Sequence, residues 1–76
     1  SIFDSFLAAS IHHSAANTYR ALDDQQNASK NYEKALFYHK KCIGEQHRLI
    51  AEIYTDIGRM YHEKKQLNKV FSIHPN

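Results

Sequence analysis

The first third of the chain carries apolar residues at Phe3, Leu7, Ala8, Ile11, Ala15, Tyr19 and Leu22, nearly all in steps of three and four. That spacing stacks them on one face and predicts a helix over 3–22 with this stripe inward. A polar break follows at Asp23, Asp24, Gln25, Gln26 and Asn27, and Asn27 can cap the next helix through its side-chain oxygen. A second helix is expected from about Ala28 to Ile43, with Ala28, Tyr32, Ala35, Leu36, His39 and Ile43 inward. Gly44, just after Lys40 and Lys41, is the expected stop, since glycine takes the left-handed conformation and the lysines suit the negative end of the helix dipole.

A third helix is predicted over roughly Gln46 to Lys64, with Leu49, Ile50, Ile53, Ile57, Met60 and Tyr61 inward. Gly58 falls inside it, where glycine costs about 1 kcal/mol against alanine, so a close approach of another backbone is expected there. The stretch from Leu67 to Ile73 reads as half a helix at most, ended by Pro75, which also disfavours helix at His74.

Composition agrees with an all-α fold. Two glycines and one proline in 76 residues are too few for the many tight turns of a β domain. A hydrophobic share of 42% is enough to fold, but a chain this short makes one domain without room for a walled catalytic cleft. The formal charge of +2 is far from the basic footprint of a dedicated nucleic-acid binder. Cys42 is the only cysteine, so no internal disulfide forms and a reducing, cytoplasmic setting is expected. No run nears the ~18 apolar residues of a membrane span, and the N-terminal stretch is unlike a signal peptide. The start at Ser1, with helical pattern almost at once, reads as a fragment cut from something larger.

The chain also repeats itself. A shift of 42 positions lays Leu7, Ala9, Ile11 and Tyr19 on Leu49, Ala51, Ile53 and Tyr61, and sets Ala8, Ala15 and Ala16 against Ile50, Ile57 and Gly58. Within the first two helices, Ala16, Tyr19, Ala28, Tyr32 and Ala35 give a small residue, an aromatic three later, a small residue nine beyond, then an aromatic and another small residue. Two antiparallel helices cross closely only where small side chains meet, with aromatics filling the flanking gaps. This pattern resembles the tetratricopeptide repeat family, over perhaps residues 9 to 70. The period of 42 exceeds the usual value of about 34 and is similar to that of long-helix members such as the kinesin light chain repeats.

The resemblance implies antiparallel helical hairpins of an αα superhelix. On that reading residues 1–76 form one segment, with a first hairpin over 3–43 and a second, incomplete one over 46–73. A three-helix bundle, in which the alanines and tyrosines are simply core, is the alternative. In the family the first helix of each hairpin lines a concave groove, which implies Ser10, His13, Ser14, Asn17, Arg20 and Ala21 from the first repeat. The second repeat adds Glu52, Thr55, Asp56, Arg59, His62 and Glu63. A solvated helix face has the same polar character. Family members that grip a peptide's C-terminal carboxylate carry a basic residue and an asparagine where His13 and Asn17 stand, and an asparagine where this chain has Asp56. An acid there repels a carboxylate, so the expected ligand contacts are Asn17, Arg20 and Arg59.

Other chemistry is weakly signalled. His39, Cys42 and His47 match no zinc spacing, and His39 lies on an apolar stripe where a core histidine is the commoner finding, so no metal and no cofactor is expected. No nucleophile and base fall together, so no catalytic residue is assigned and the chain reads as a non-enzyme. A helix-turn-helix over Leu49 to Phe71 would need Gly58 in its turn, whereas the periodicity puts it mid-helix. Lys64, Lys65 and Lys69 form a small basic cluster, which keeps a helical nucleic-acid-binding domain as the runner-up, with salt-sensitive affinity as its mark. The expected function is a protein interaction module or scaffold that takes a peptide or helix of a partner, or else a structural brace in a larger assembly. Solenoids need about three repeats, so Phe3, Phe6, Phe37 and Phe71 are expected to be seams to missing repeats, another chain or a second copy.

Overall fold

A computed structural model describes residues 1–41 and 46–73, and the described residues contain three helices and no strand: α1 (Ile2–Ala21), α2 (Gln25–His39) and α3 (Gln46–Ile73). Ser1 and Asp4 close a reciprocal capping box at the start of α1: the Asp4 backbone N–H, which the helix cannot satisfy, donates to Ser1 Oγ at 3.2 Å, and the Ser1 ammonium donates to the Asp4 carboxylate at 3.4 Å. The turn into α2 passes through Asp23 at φ 59°, a left-handed conformation that aspartate tolerates better than most residues. Asp24, not Asn27, caps α2: its carboxylate accepts from the Asn27 backbone N–H at 3.1 Å and from the Asn27 side chain at 2.8 Å. The same two bonds, side chain first, hold the Asp24 carboxyl below its ordinary pKa. Gln25 and Gln26 are good helix formers, so the helix starts three residues earlier than a cap at Asn27 requires.

The expected inner stripe of α2 is correct where it can be seen. Ala28, Tyr32, Ala35 and His39 are buried and Leu36 is half-buried. The helix ends at His39, ahead of the expected stop, while Ile43 and Gly44 lie outside the described residues.

The stripe assigned to α1 is largely wrong. Phe3, Leu7, Ile11 and Leu22 are exposed, by 74%, 51%, 58% and 70%, whereas Ala9 and Ala16 are fully buried. The two helices cross on small residues, and α1 turns its larger aliphatic side chains outward. Ala16, Ala28, Tyr32, Ala35, Ile53 and Met60 form the core, with Tyr19, Leu36 and Ile57 packed against it.

α3 is one continuous helix, without the expected break after Lys64. Glu63, Lys64, Lys65 and Gln66 are strong helix formers, and nothing in the run ends the hydrogen-bond ladder. Ile53 and Met60 are buried and Leu49, Ile50 and Ile57 half-buried, but Tyr61 is exposed. Gly58 is exposed too, and a Cβ built on it meets nothing within 4 Å among the described residues, so no described backbone passes close to it.

Contacts fix the directions of the helices. Asn17 meets Tyr32, His12 meets Tyr38 and Phe6 meets His39, so α1 and α2 are antiparallel. His13 meets Asp56 and Arg20 meets Glu63, both 43 residues apart, so α1 and α3 are parallel. The radius of gyration is 14.7 Å, against about 11 Å for a compact domain of this length. At ~1.5 Å per residue α3 is about 42 Å long and continues past Met60, the last of its residues described as buried.

Candidate functional site

His13, Asn17 and Arg20 follow one another on α1 at steps of four and three, and Asp56, Arg59 and Glu63 do the same on α3 with steps of three and four. Such spacing puts each set on one helix face. Because the helices are parallel, the two rows face each other and form a polar seam. His13 Nε2 lies 2.7 Å from Asp56 Oδ2; a carboxylate only accepts, so Nε2 carries the hydrogen. Arg20 reaches the same carboxylate, Nη1 to Oδ1 at 3.5 Å, and its Nε lies 3.7 Å from Glu63 Oε1. Arg59 approaches Asp56 Oδ1 at 3.5 Å from the solvent side.

The inner members of the seam are well shielded, with side-chain exposures of 17% for His13, 15% for Asp56 and 19% for Arg20. Charges so placed are screened less than surface pairs. Arg20 Nη1 is buried and, although at ion-pair distance from Asp56, is not aligned for a hydrogen bond with any described residue. Tyr32 of α2 lies beneath the seam, fully buried. Its hydroxyl donates to Asn17 Oδ1 at 2.6 Å and its ring meets that of His13 edge-on at 6.1 Å. Burial pushes the Tyr32 phenol above its ordinary pKa, with Arg20 pulling the other way.

A cleft of about 450 Å³ opens at the C-terminal end of this seam, between the α1–α2 turn and the second half of α3. Met60 and Leu67 give it apolar surface, Gln25, Glu63 and Lys64 give it a polar rim, and Arg20 lines it as well. A shallower depression of about 440 Å³ runs along α3 past Arg48, Glu52, Thr55 and Arg59.

The residues assigned to the groove from sequence are therefore divided. His13, Asn17, Arg20 and Asp56 come together, but they contact one another or Tyr32. Thr55, Arg59 and His62 are exposed on α3, with the Thr55 hydroxyl donating back to the Ala51 carbonyl at 2.9 Å. The acid at position 56 is neutralised from both sides. Gln25 and Leu67 were missed in the sequence; both lie in segments read as loop or weak helix, and only the earlier start of α2 and the continuation of α3 bring them to the cleft.

His39 is buried with its ring edge toward Phe6 at 6.0 Å, and its Nδ1 has no hydrogen-bond partner among the described residues. Cys42 and the side chain of His47 lie outside the described residues, and no group of three or more His, Cys, Asp or Glu side chains converges among the described ones. No described helix is long and apolar enough to cross a membrane.

Neither the curated proteins nor the solved structures give a significant match to this chain. The family model of the tetratricopeptide repeat matches residues 9–36, which cover most of α1 and α2, so the α1–α2 hairpin is similar to a repeat of tetratricopeptide type.

Proposed function

We propose that the chain is a protein interaction module which takes a peptide segment of a partner along the polar α1/α3 face, anchored in the cleft beside Arg20. Repeats of this type generally mediate protein–protein contacts, and the hairpin that matches them is the one that supplies Arg20. The observation that carries the reading is that Arg20 lines a cleft with apolar surface from Met60 and Leu67. The Arg20 side chain keeps 19% of its surface exposed, and a guanidinium can donate a charge-assisted hydrogen bond to a backbone carbonyl or side-chain carboxylate entering the cleft. The apolar surface suits an adjacent aliphatic or aromatic side chain.

His13 and Asn17 act as supports in this reading, because their described contacts already hold α1 against Asp56 and Tyr32. Arg20 and the exposed Arg59 are the ligand contacts. His62, which also lines the cleft, and Thr55 are polar rim. Selection from a random peptide library on the intact chain tests this. Selected peptides should lose at least about tenfold in affinity for the Arg20→Ala/Arg59→Ala variant, the effect of one charge-assisted hydrogen bond. Equal binding to a variant that keeps its helical circular dichroism would reject the site.

A further inference from the structure

The charges of the chain are unevenly compensated. Each arginine lies at ion-pair distance from an acid: Arg20 from Asp56 and Glu63, Arg48 from Glu52, and Arg59 from Asp56. Lys30, Lys34, Lys40 and Lys41, in and just after α2, have no such partner among the described residues, and all four are exposed. Helical steps of about 100° put Lys30, Lys34, Phe37 and Lys41 within about 60° of arc, on the side of α2 opposite the buried Ala28, Tyr32, Ala35 and His39. Lys41 stands just past the end of α2, and its ammonium lies over the Phe37 ring, 4.3 Å from the centroid, which holds it on the same face. Phe37 itself is 55% exposed. The outer face of α2 thus carries a straight basic row, roughly 16 Å long, with one aromatic ring set in it. Lys30 and Lys34, one turn apart, repel each other in the chain alone.

We infer that this row is a docking site for an acidic helix of a partner protein, whose carboxylates, four and seven residues apart, meet Lys30, Lys34 and Lys41 while an aliphatic side chain meets Phe37. All α-helices share one rise per residue, so a second helix laid along α2 reproduces the spacing of the row in either direction. Charge complementarity sets the sign of the occupant, and two features favour a narrow protein segment over a broad polyanion. Glu33 is exposed on the flank of the row, where a plane of lipid headgroups or a nucleic-acid backbone would be repelled by it and a single helix passes beside it. Phe37 carries the Lys41 ammonium on its face, so the ring is not free to enter an acyl layer or to stack on a base. Its remaining exposed surface suits an aliphatic side chain. Exposed ion pairs are individually weak and are screened by salt, which makes this a reversible, salt-sensitive contact. The row lies on the outer face of α2, away from the α1/α3 seam, and stands whether or not a peptide enters the cleft beside Arg20.

The test uses the full chain and a labelled, alanine-based helical peptide with glutamates four and seven residues apart and a leucine three residues beyond the middle glutamate, titrated by fluorescence anisotropy. Binding at about 0.02 M salt should weaken at least about fivefold at about 0.2 M. It should weaken at least about tenfold in the Lys30→Gln/Lys34→Gln/Lys41→Gln variant, which changes only exposed positions. The Arg20→Ala/Arg59→Ala variant should bind the peptide as the unaltered chain does, which separates this surface from the cleft. Lys30→Glu/Lys34→Glu/Lys41→Glu should instead bind the peptide with lysines in place of its glutamates, a gain that a merely unfolded variant would not show. No binding at low salt, equal binding by the glutamine variant, or equal binding of a peptide with the same residues in scrambled order overturns the proposal. Tighter binding, through these lysines, of a poly-uridine oligonucleotide or of phosphatidylserine vesicles overturns it as well, in favour of nucleic acid or membrane.

Discussion

Replacing Asp56 with asparagine removes one charge at nearly constant shape from the centre of the α1/α3 seam. Asp56 meets His13 at 2.7 Å and Arg20 at 3.5 Å, with all three side chains less than one-fifth exposed. Two unit charges 3.5 Å apart interact by about 5 kcal/mol at an effective dielectric near 20, but desolvation and partial solvent screening remove much of that. Exposed pairs are worth about 0.2–1 kcal/mol and the breaking of a buried one costs about 3–5 kcal/mol. Asp56 lies between these limits, so Asp56→Asn should cost about 2 kcal/mol. In a domain of this size that lowers the melting midpoint by about 10 °C. Urea denaturation followed at 222 nm measures it, and the loss should shrink as salt rises from 0.1 to 1 M. A double-mutant cycle with His13→Ala should return a coupling of at least about 1 kcal/mol. A cost under about 0.5 kcal/mol with no coupling would refute the seam.

Three further substitutions test separate parts of the fold. Tyr32→Phe deprives Asn17 Oδ1 of its donor and should cost about 1 kcal/mol at neutral pH. Because burial raises the Tyr32 pKa above 10, the neutral phenol's contribution is complete below pH 10 and is lost as pH rises through the folded value, so the variant should show a flatter alkaline limb in a pH–stability profile. Burial, with nearby His13, lowers the His39 pKa below 6.5 while Glu52 opposes the shift; the neutral imidazole's stability is present above pH 6.5 and lost as pH falls through the folded value. His39→Leu should therefore lessen the drop in melting midpoint between pH 7 and 5, and an unchanged drop would contradict the assignment. Gly58→Ala should stabilise the chain by about 1 kcal/mol through helix propensity alone, and a loss of stability in urea would mean that the position is packed after all.

What the sequence disclosed follows from which property buries a residue. The α2 stripe was legible because Ala28, Tyr32 and Ala35 are both periodic and apolar, and their spacing to Ala16 and Tyr19 carried the family pattern. The α1 stripe was misread because hydrophobicity favours Leu7 and Ile11 over Ala9 and Ala16, while a close helix crossing selects for small size. Tyr61 is expected inward from periodicity and Gly58 in a close packing contact from its cost inside a helix, yet the face of α3 that carries them, equivalent to the one α2 covers on α1, has nothing described against it. At the site, the residues of the seam were all named, but their pairing was not. A hydrogen bond between His13 and Asp56 depends on the offset of 43 between parallel helices, which a repeat of 42 in sequence approximates without specifying. The cleft was hidden for a different reason, since it needs α3 to continue through a run of charged helix formers to Leu67.

The central claim is that α1 and α3 lie parallel across a polar seam with α2 antiparallel against both, leaving the aliphatic face of α1 open. Long-range nuclear Overhauser contacts on the isotope-labelled chain test it most directly. The predicted set runs between His13 and Asp56, Arg20 and Glu63, and from Tyr32 to residues on both neighbouring helices, with none from Leu7 or Ile11 to α3. Contacts from Leu7 or Ile11 to Ile53 or Met60 would mean a closed three-helix bundle and contradict the account.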